Sequence, residues 1–64
     1  MIKLYVNDSH NSFSLISELD SKEIEYELHS EDEAVVLGYN KLPVLVVDNK
    51  MLDYKKAMRY AKKG

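Results

Sequence analysis

Leu37-Gly38-Tyr39-Asn40-Lys41-Leu42-Pro43-Val44-Leu45-Val46-Val47-Asp48 sets the only proline of a 64-residue chain directly before four aliphatic residues. A run this short, apolar at every position and β-branched at three, reads as a strand covered on both faces and therefore central in a sheet. Proline at its head fixes the entry of the chain and removes one donor, which a first strand position tolerates. On the far side, Asp48-Asn49 is a pair that accepts positive φ, so a tight two-residue turn is expected there, with Lys50-Met51-Leu52 returning as an antiparallel strand. On the near side, Gly38 is the residue type that closes a helix in the left-handed conformation.

Moving toward the amino terminus, Ser30-Glu31-Asp32-Glu33 has the spacing of a capping box, with Glu33 reaching back to the residue whose hydroxyl caps it. A short helix carrying Val36 and Leu37 is expected from there to Gly38. Its acidic start suits the positive end of the helix dipole, which accounts for the cluster without a metal. Before it, Ile24, Tyr26 and Leu28 alternate with Glu23, Glu25 and Glu27, the period of a strand, and the three glutamates mark an edge strand facing water. Phe13, Ile16 and Leu19, with Leu15 alongside, recur at three- and four-residue steps and predict a helix starting between Ser9 and Ser12. Ile2 to Val6 reads as a buried first strand that stops at the turn residues Asn7-Asp8-Ser9. Toward the carboxyl terminus, Asp53 caps a last helix whose apolar side is Tyr54, Ala57, Met58 and Ala61, with Gly64 just past its end.

The order is β-α-β-α-β-β-α over residues 1–64, an α/β domain with a four-stranded mixed sheet and three helices, and no room for a second domain. At this length only about 60% of the unfolded surface is buried, so the core is thin. With no cysteine in the sequence, no disulfide can staple it. The start lacks the basic and long apolar segments of a secretory signal, and no stretch reaches 18 apolar residues, so a cytoplasmic protein away from membranes is expected. Without secretion the acceptor triplet Asn7-Asp8-Ser9 carries no meaning.

Net charge is −2, yet five of the nine basic residues, Lys55, Lys56, Arg59, Lys62 and Lys63, lie in the last ten positions. Cations there complement the negative end of the terminal helix, a simpler reading than a nucleic-acid contact, and no nucleic-acid partner is expected. Asp8-Ser9-His10 is not read as a hydrolytic arrangement, because adjacent residues at a turn diverge where a triad must converge. His10 and His29 lack companion ligands in the sequence and are read as a solvent-facing pair, with no metal and no cofactor.

The chain resembles the glutaredoxin-like small redox proteins of the thioredoxin fold, over essentially its whole length. Leu42-Pro43-Val44 is the strongest marker, matching the family's cis-proline and third strand, and Lys22-Glu23-Ile24-Glu25-Tyr26-Glu27 matches its second-strand entry. The resemblance implies the minimal thioredoxin fold. It also places Ser9-His10-Asn11-Ser12 where the family carries Cys-x-x-Cys. Serine hydroxyls are too weakly acidic and too poor as nucleophiles for thiol exchange, so no catalytic residue and no oxidoreductase activity is expected of the chain as written. The motif also lacks the family's frequent proline, Phe13 stands where a polar residue is usual, and Asp48-Asn49 replaces Asp-Gly. The glycine pair that goes with glutathione is missing around Leu52-Asp53-Tyr54, which argues against that ligand. In the family the residue before the cis-proline offers its backbone to an extended peptide, a role the resemblance gives to Leu42. The expected function is therefore a redox-inactive module that binds a partner protein in a groove formed by Ser9, His10, Asn11, Ser12, Leu42 and Pro43. The alternative is a thiol-disulfide oxidoreductase whose two cysteines have both been replaced by serine.

Overall fold

The computed structural model describes residues 1–63; the helix end expected at Gly64 lies outside the described residues. The elements run β1 (Ile2–Tyr5), α1 (His10–Ser21), β2 (Glu27–His29), α2 (Glu31–Val36), β3 (Val44–Val47), β4 (Lys50–Leu52) and α3 (Tyr54–Lys63). They form one four-stranded sheet in the order β2-β1-β3-β4, with β1 parallel to β2 and antiparallel to β3, and β3 antiparallel to β4. The mixed sheet and three helices thus follow the expected order.

Pairing fixes which side chains share a face. Ile2, Leu4, Leu45, Val47 and Leu52 stand in register on one side, where Leu4 and Leu45 are fully buried against Leu15 and Leu19 of α1 and Ala57 and Ala61 of α3. The alanines let α3 lie close, while Tyr54 and Met58 pack on the rim of the same cluster. On the opposite face Tyr5 pairs with Val44, and both are buried at the end where α2 packs against β1 through Ala34. Farther along that face Met51 is 57% exposed, so β3 is covered on both sides only in its first half.

Turns and caps follow their residue types. Asp48 and Asn49 take φ of 50° and 70°, the two-residue turn that matches the twist of a hairpin. Asp53 caps α3 through a 2.9 Å bond from the Lys56 N–H to Oδ1. Gly38, at φ 84°, lets its own N–H reach the Val35 carbonyl and that of Tyr39 the Ala34 carbonyl, closing α2.

Four expectations are corrected. The glutamate-rich strand does not begin at Glu23: that residue has φ 56° and ends α1, its N–H on the Asp20 carbonyl and that of Ile24 on the Leu19 carbonyl. Regular pairing waits until Glu27, and Leu28 is 58% exposed at the sheet edge. The capping box does not form, because Ser30 makes no side-chain cap bond and the Glu33 carboxylate is held by His29 instead. Phe13 is 58% exposed, since the inward stripe of α1 is set one residue earlier, on Ser12, Leu15 and Leu19. Val36 and Leu37 of the second helix also face solvent, and Ala34 is its buried residue.

Candidate functional site

The loop from β1 into α1 carries a polar cluster in which five hydrogen bonds join Asn7, Ser9 and Ser12. Ser9 is the N-cap, extended at φ −93° and ψ 158°, and its Oγ accepts the Ser12 N–H at 3.2 Å. The Ser9 hydroxyl donates to Ser12 Oγ at 3.1 Å, and the Ser12 hydroxyl donates in turn to Asn7 Oδ1 at 2.9 Å. The Asn7 N–H returns to Ser12 Oγ at 3.1 Å, and the Ser9 N–H reaches Asn7 Oδ1 at 3.2 Å. Ser12 is fully buried, yet its hydroxyl has one acceptor and two donors, so its burial leaves nothing unpaired. Asn7 was not singled out in the sequence; its place two residues before a cap serine is a weak signal for such a turn.

Among the described residues no base reaches either serine. His10 is exposed and turned along the helix, with Nε2 3.5 Å from Ser14 Oγ, and Asp8 is exposed on the loop. As expected from the divergence of neighbouring residues at a turn, Asp8, Ser9 and His10 do not converge.

Of the six residues expected to form a groove, the fold brings Asn11, Leu42 and Pro43 to the wall of one open concavity of about 640 Å³. Asn7, Asn40, Lys41 and Lys55 complete it together with Asp53 and Tyr54. The Leu42–Pro43 peptide is cis. Ser12 is fully buried, Ser9 is half-buried, His10 is exposed, and none of the three belongs to the lining; Pro43 is on the wall but contributes almost no exposed surface. The groove therefore combines three side-chain amides and Leu42 with the Asp53 carboxylate, the Tyr54 ring and two lysines.

No protein-family model and no curated protein matches the chain. The groove and the serine pair stand on their own geometry.

His29 departs from the solvent-facing pair expected of it. Its ring stacks on Tyr5, 4.8 Å between centroids, and its two nitrogens contact Glu33 from α2 and Glu27 from β2. Tyr39 packs edge-on against the other side of Tyr5. The hydrogen bond to Glu33 raises the His29 pKa most, burial works against it, and Glu27 adds to the rise. A folded-state pKa above the unfolded value means that the contribution is complete below about pH 6.5 and is lost as pH rises through the raised value. Urea unfolding midpoints should accordingly fall between about pH 6 and pH 8.5, and His29→Gln should remove most of that fall. An equal fall in the variant would assign it to other groups.

Among the described residues no group of three or more His, Cys, Asp or Glu side chains is placed to hold a metal ion, and no helix is long and apolar enough to cross a membrane.

Proposed function

We propose that the chain is a glutaredoxin-like module of the thioredoxin fold without thiol chemistry, which binds an extended segment of a partner protein along Leu42. The strand order β2-β1-β3-β4, the parallel β1-α1-β2 unit and the β3-β4 hairpin are those the fold requires. The observation that carries the reading is the closed serine network. Ser9 and Ser12 sit at the helix start, the place the resemblance gives to the family's thiols, but their hydroxyls bond each other and Asn7, with no base in contact among the described residues. What remains is a concave surface with Leu42 at its wall, and strand-like pairing to the backbone of that residue needs no sulfur.

The test is a photo-crosslinking residue in place of Asn11 on the groove rim, with a second chain carrying it at Met51 on the far sheet edge. Discrete capture of one protein through an extended segment is expected from position 11 alone. Equal capture from both positions, or none from either, overturns the reading.

The second reading, an oxidoreductase in doubly substituted form, is favoured by one observation. Ser9 and Ser12 converge to 3.1 Å, with one half-buried and the other fully buried, the asymmetry that an attacking and a resolving thiol need. Cysteine codons at positions 9 and 12 of the source gene would establish it.

A further inference from the structure

Charge in this chain is sorted by sheet edge. Residues 7–37 hold nine acidic side chains and one lysine, whereas residues 38–64 hold seven basic side chains and two acids. β2 and β4 are the two edges of the sheet, so the acids of β2 and α2 lie at one edge and the cations of α3, which packs on β3 and β4, lie toward the other.

Each charged side also carries apolar surface. Between α1 and β2 an open groove is lined by Val6, Phe13, Ile16 and Leu28, with Asp8 and Glu31 on its rim. Phe13 and Leu28 are each 58% exposed there. One flank of α3 presents Lys55, Arg59 and Lys62 beside the half-buried Tyr54 and Met58, again in a shallow concavity. Apolar residues beside acids and apolar residues beside cations are complementary, and the two concavities are separate, with no lining residue in common. Pairing groove to groove would set Asp8 and Glu31 against their own copies, which like-charge repulsion disfavours.

We propose that the chain associates head to tail with further copies of itself, the α1–β2 groove of one copy receiving the basic flank of α3 of the next. The contact is heterologous, so it leaves a free groove at one end and a free α3 at the other and builds open oligomers. It uses neither the serine pair nor Leu42, and stands independently of the proposed function.

Sedimentation velocity of the whole chain tests it. The mean mass is expected to rise above 7.4 kDa with concentration at about 20 mM salt and to return to the monomer at about 0.5 M, where exposed charges are screened. Asp8→Lys/Glu31→Lys removes the acidic rim, and Lys55→Glu/Arg59→Glu reverses the basic one. Each is expected to stay monomeric alone, and an equimolar mixture to associate into alternating oligomers, because a native α3 meets a native groove at one junction and the reversed pair meets at the next. Phe13→Gln, at an exposed position, should abolish association with the far-ultraviolet circular dichroism unchanged. A wild-type chain that remains monomeric at low salt, association unaffected by Phe13→Gln, or a mixture that fails to pair although both variants are folded overturns the proposal. Binding of a cationic amphipathic peptide in the groove of a strictly monomeric chain would assign the surface to another protein instead.

Discussion

Leu45→Ala is expected to destabilise the chain by roughly 2–5 kcal/mol, the range for removing a fully buried leucine side chain where the surroundings collapse only in part. Leu45 has no exposed surface and sits where β1, β3, β4, α1 and α3 converge, in register with Leu4 on one side and Leu52 on the other. The remaining fully buried members of that cluster are three leucines and two alanines, so little mobile side chain is at hand to fill the space left. A chain of this size has about 3–10 kcal/mol of stability in all on the usual 0.05–0.15 kcal/mol per residue. The loss is then a large fraction of the whole, and at the lower end of that range the variant is mostly unfolded at 25 °C. Urea denaturation followed by circular dichroism reads it directly. Met51→Ala, on the neighbouring strand but on the open face, serves as the contrast and should shift stability by no more than about 0.5 kcal/mol. A Leu45 variant as stable as the Met51 variant would mean that the core does not lie where these registers put it.

That core was legible in sequence because its signals are local and strong. Four aliphatic residues after a proline, a pair that accepts positive φ, and alanines spaced by four on α3 each leave one low-energy arrangement. The errors arose where a tertiary partner diverted a residue from its local role. Glu33 fits a capping box until the fold brings His29 beside it, and an imidazole between two carboxylates outcompetes a backbone N–H for that oxygen. Ser12 looks like a solvent residue next to Phe13, and only Asn7, five positions back, makes its burial affordable by matching its hydroxyl with donor and acceptor. Glu23 keeps its place in the alternation with Ile24 and Tyr26, yet its backbone closes α1, a left-handed position for which sequence normally shows glycine. In the candidate site, Asn11, Leu42 and Pro43 were placed together on the strength of a resemblance, and the fold lines one concavity with them. The sorting of charge to opposite edges needed the strand order, because sequence halves become spatial halves only when the strands of each half lie together.

Ser9→Cys/Ser12→Cys should convert a chain with no titratable thiol into one with an acidic, bridged pair. The helix start that now holds Ser9 Oγ against the Ser12 N–H would hold a sulfur in the same place, where free backbone donors and the helix dipole favour the thiolate. Its pKa is expected to fall from about 8.5 into roughly the 3.5–7.5 range. Position 12 is buried and accepts the Asn7 N–H, so its sulfur is shielded from solvent and reserved for the second step. In that sequence the thiolate at position 9 attacks a substrate disulfide and displaces one thiolate. The sulfur at position 12, deprotonated, then attacks position 9, displaces the second thiolate and leaves a disulfide between 9 and 12. An external donor, one dithiol or two monothiols, returns the two electrons and leaves as its own disulfide. Ultraviolet thiolate titration and free-thiol counting after oxidation check the first part, which depends only on the helix end and holds under either functional reading. Turnover separates them. Reduction of a disulfide substrate with thioredoxin reductase or glutathione as donor would require the surroundings, His10, Asn11 and Phe13 included, still to admit both substrate and donor, and would favour the doubly substituted oxidoreductase. A folded variant with an acidic, bridged pair that passes no electrons is the result the partner-binding reading predicts, because there the groove at Leu42 serves a ligand that is held and not reduced.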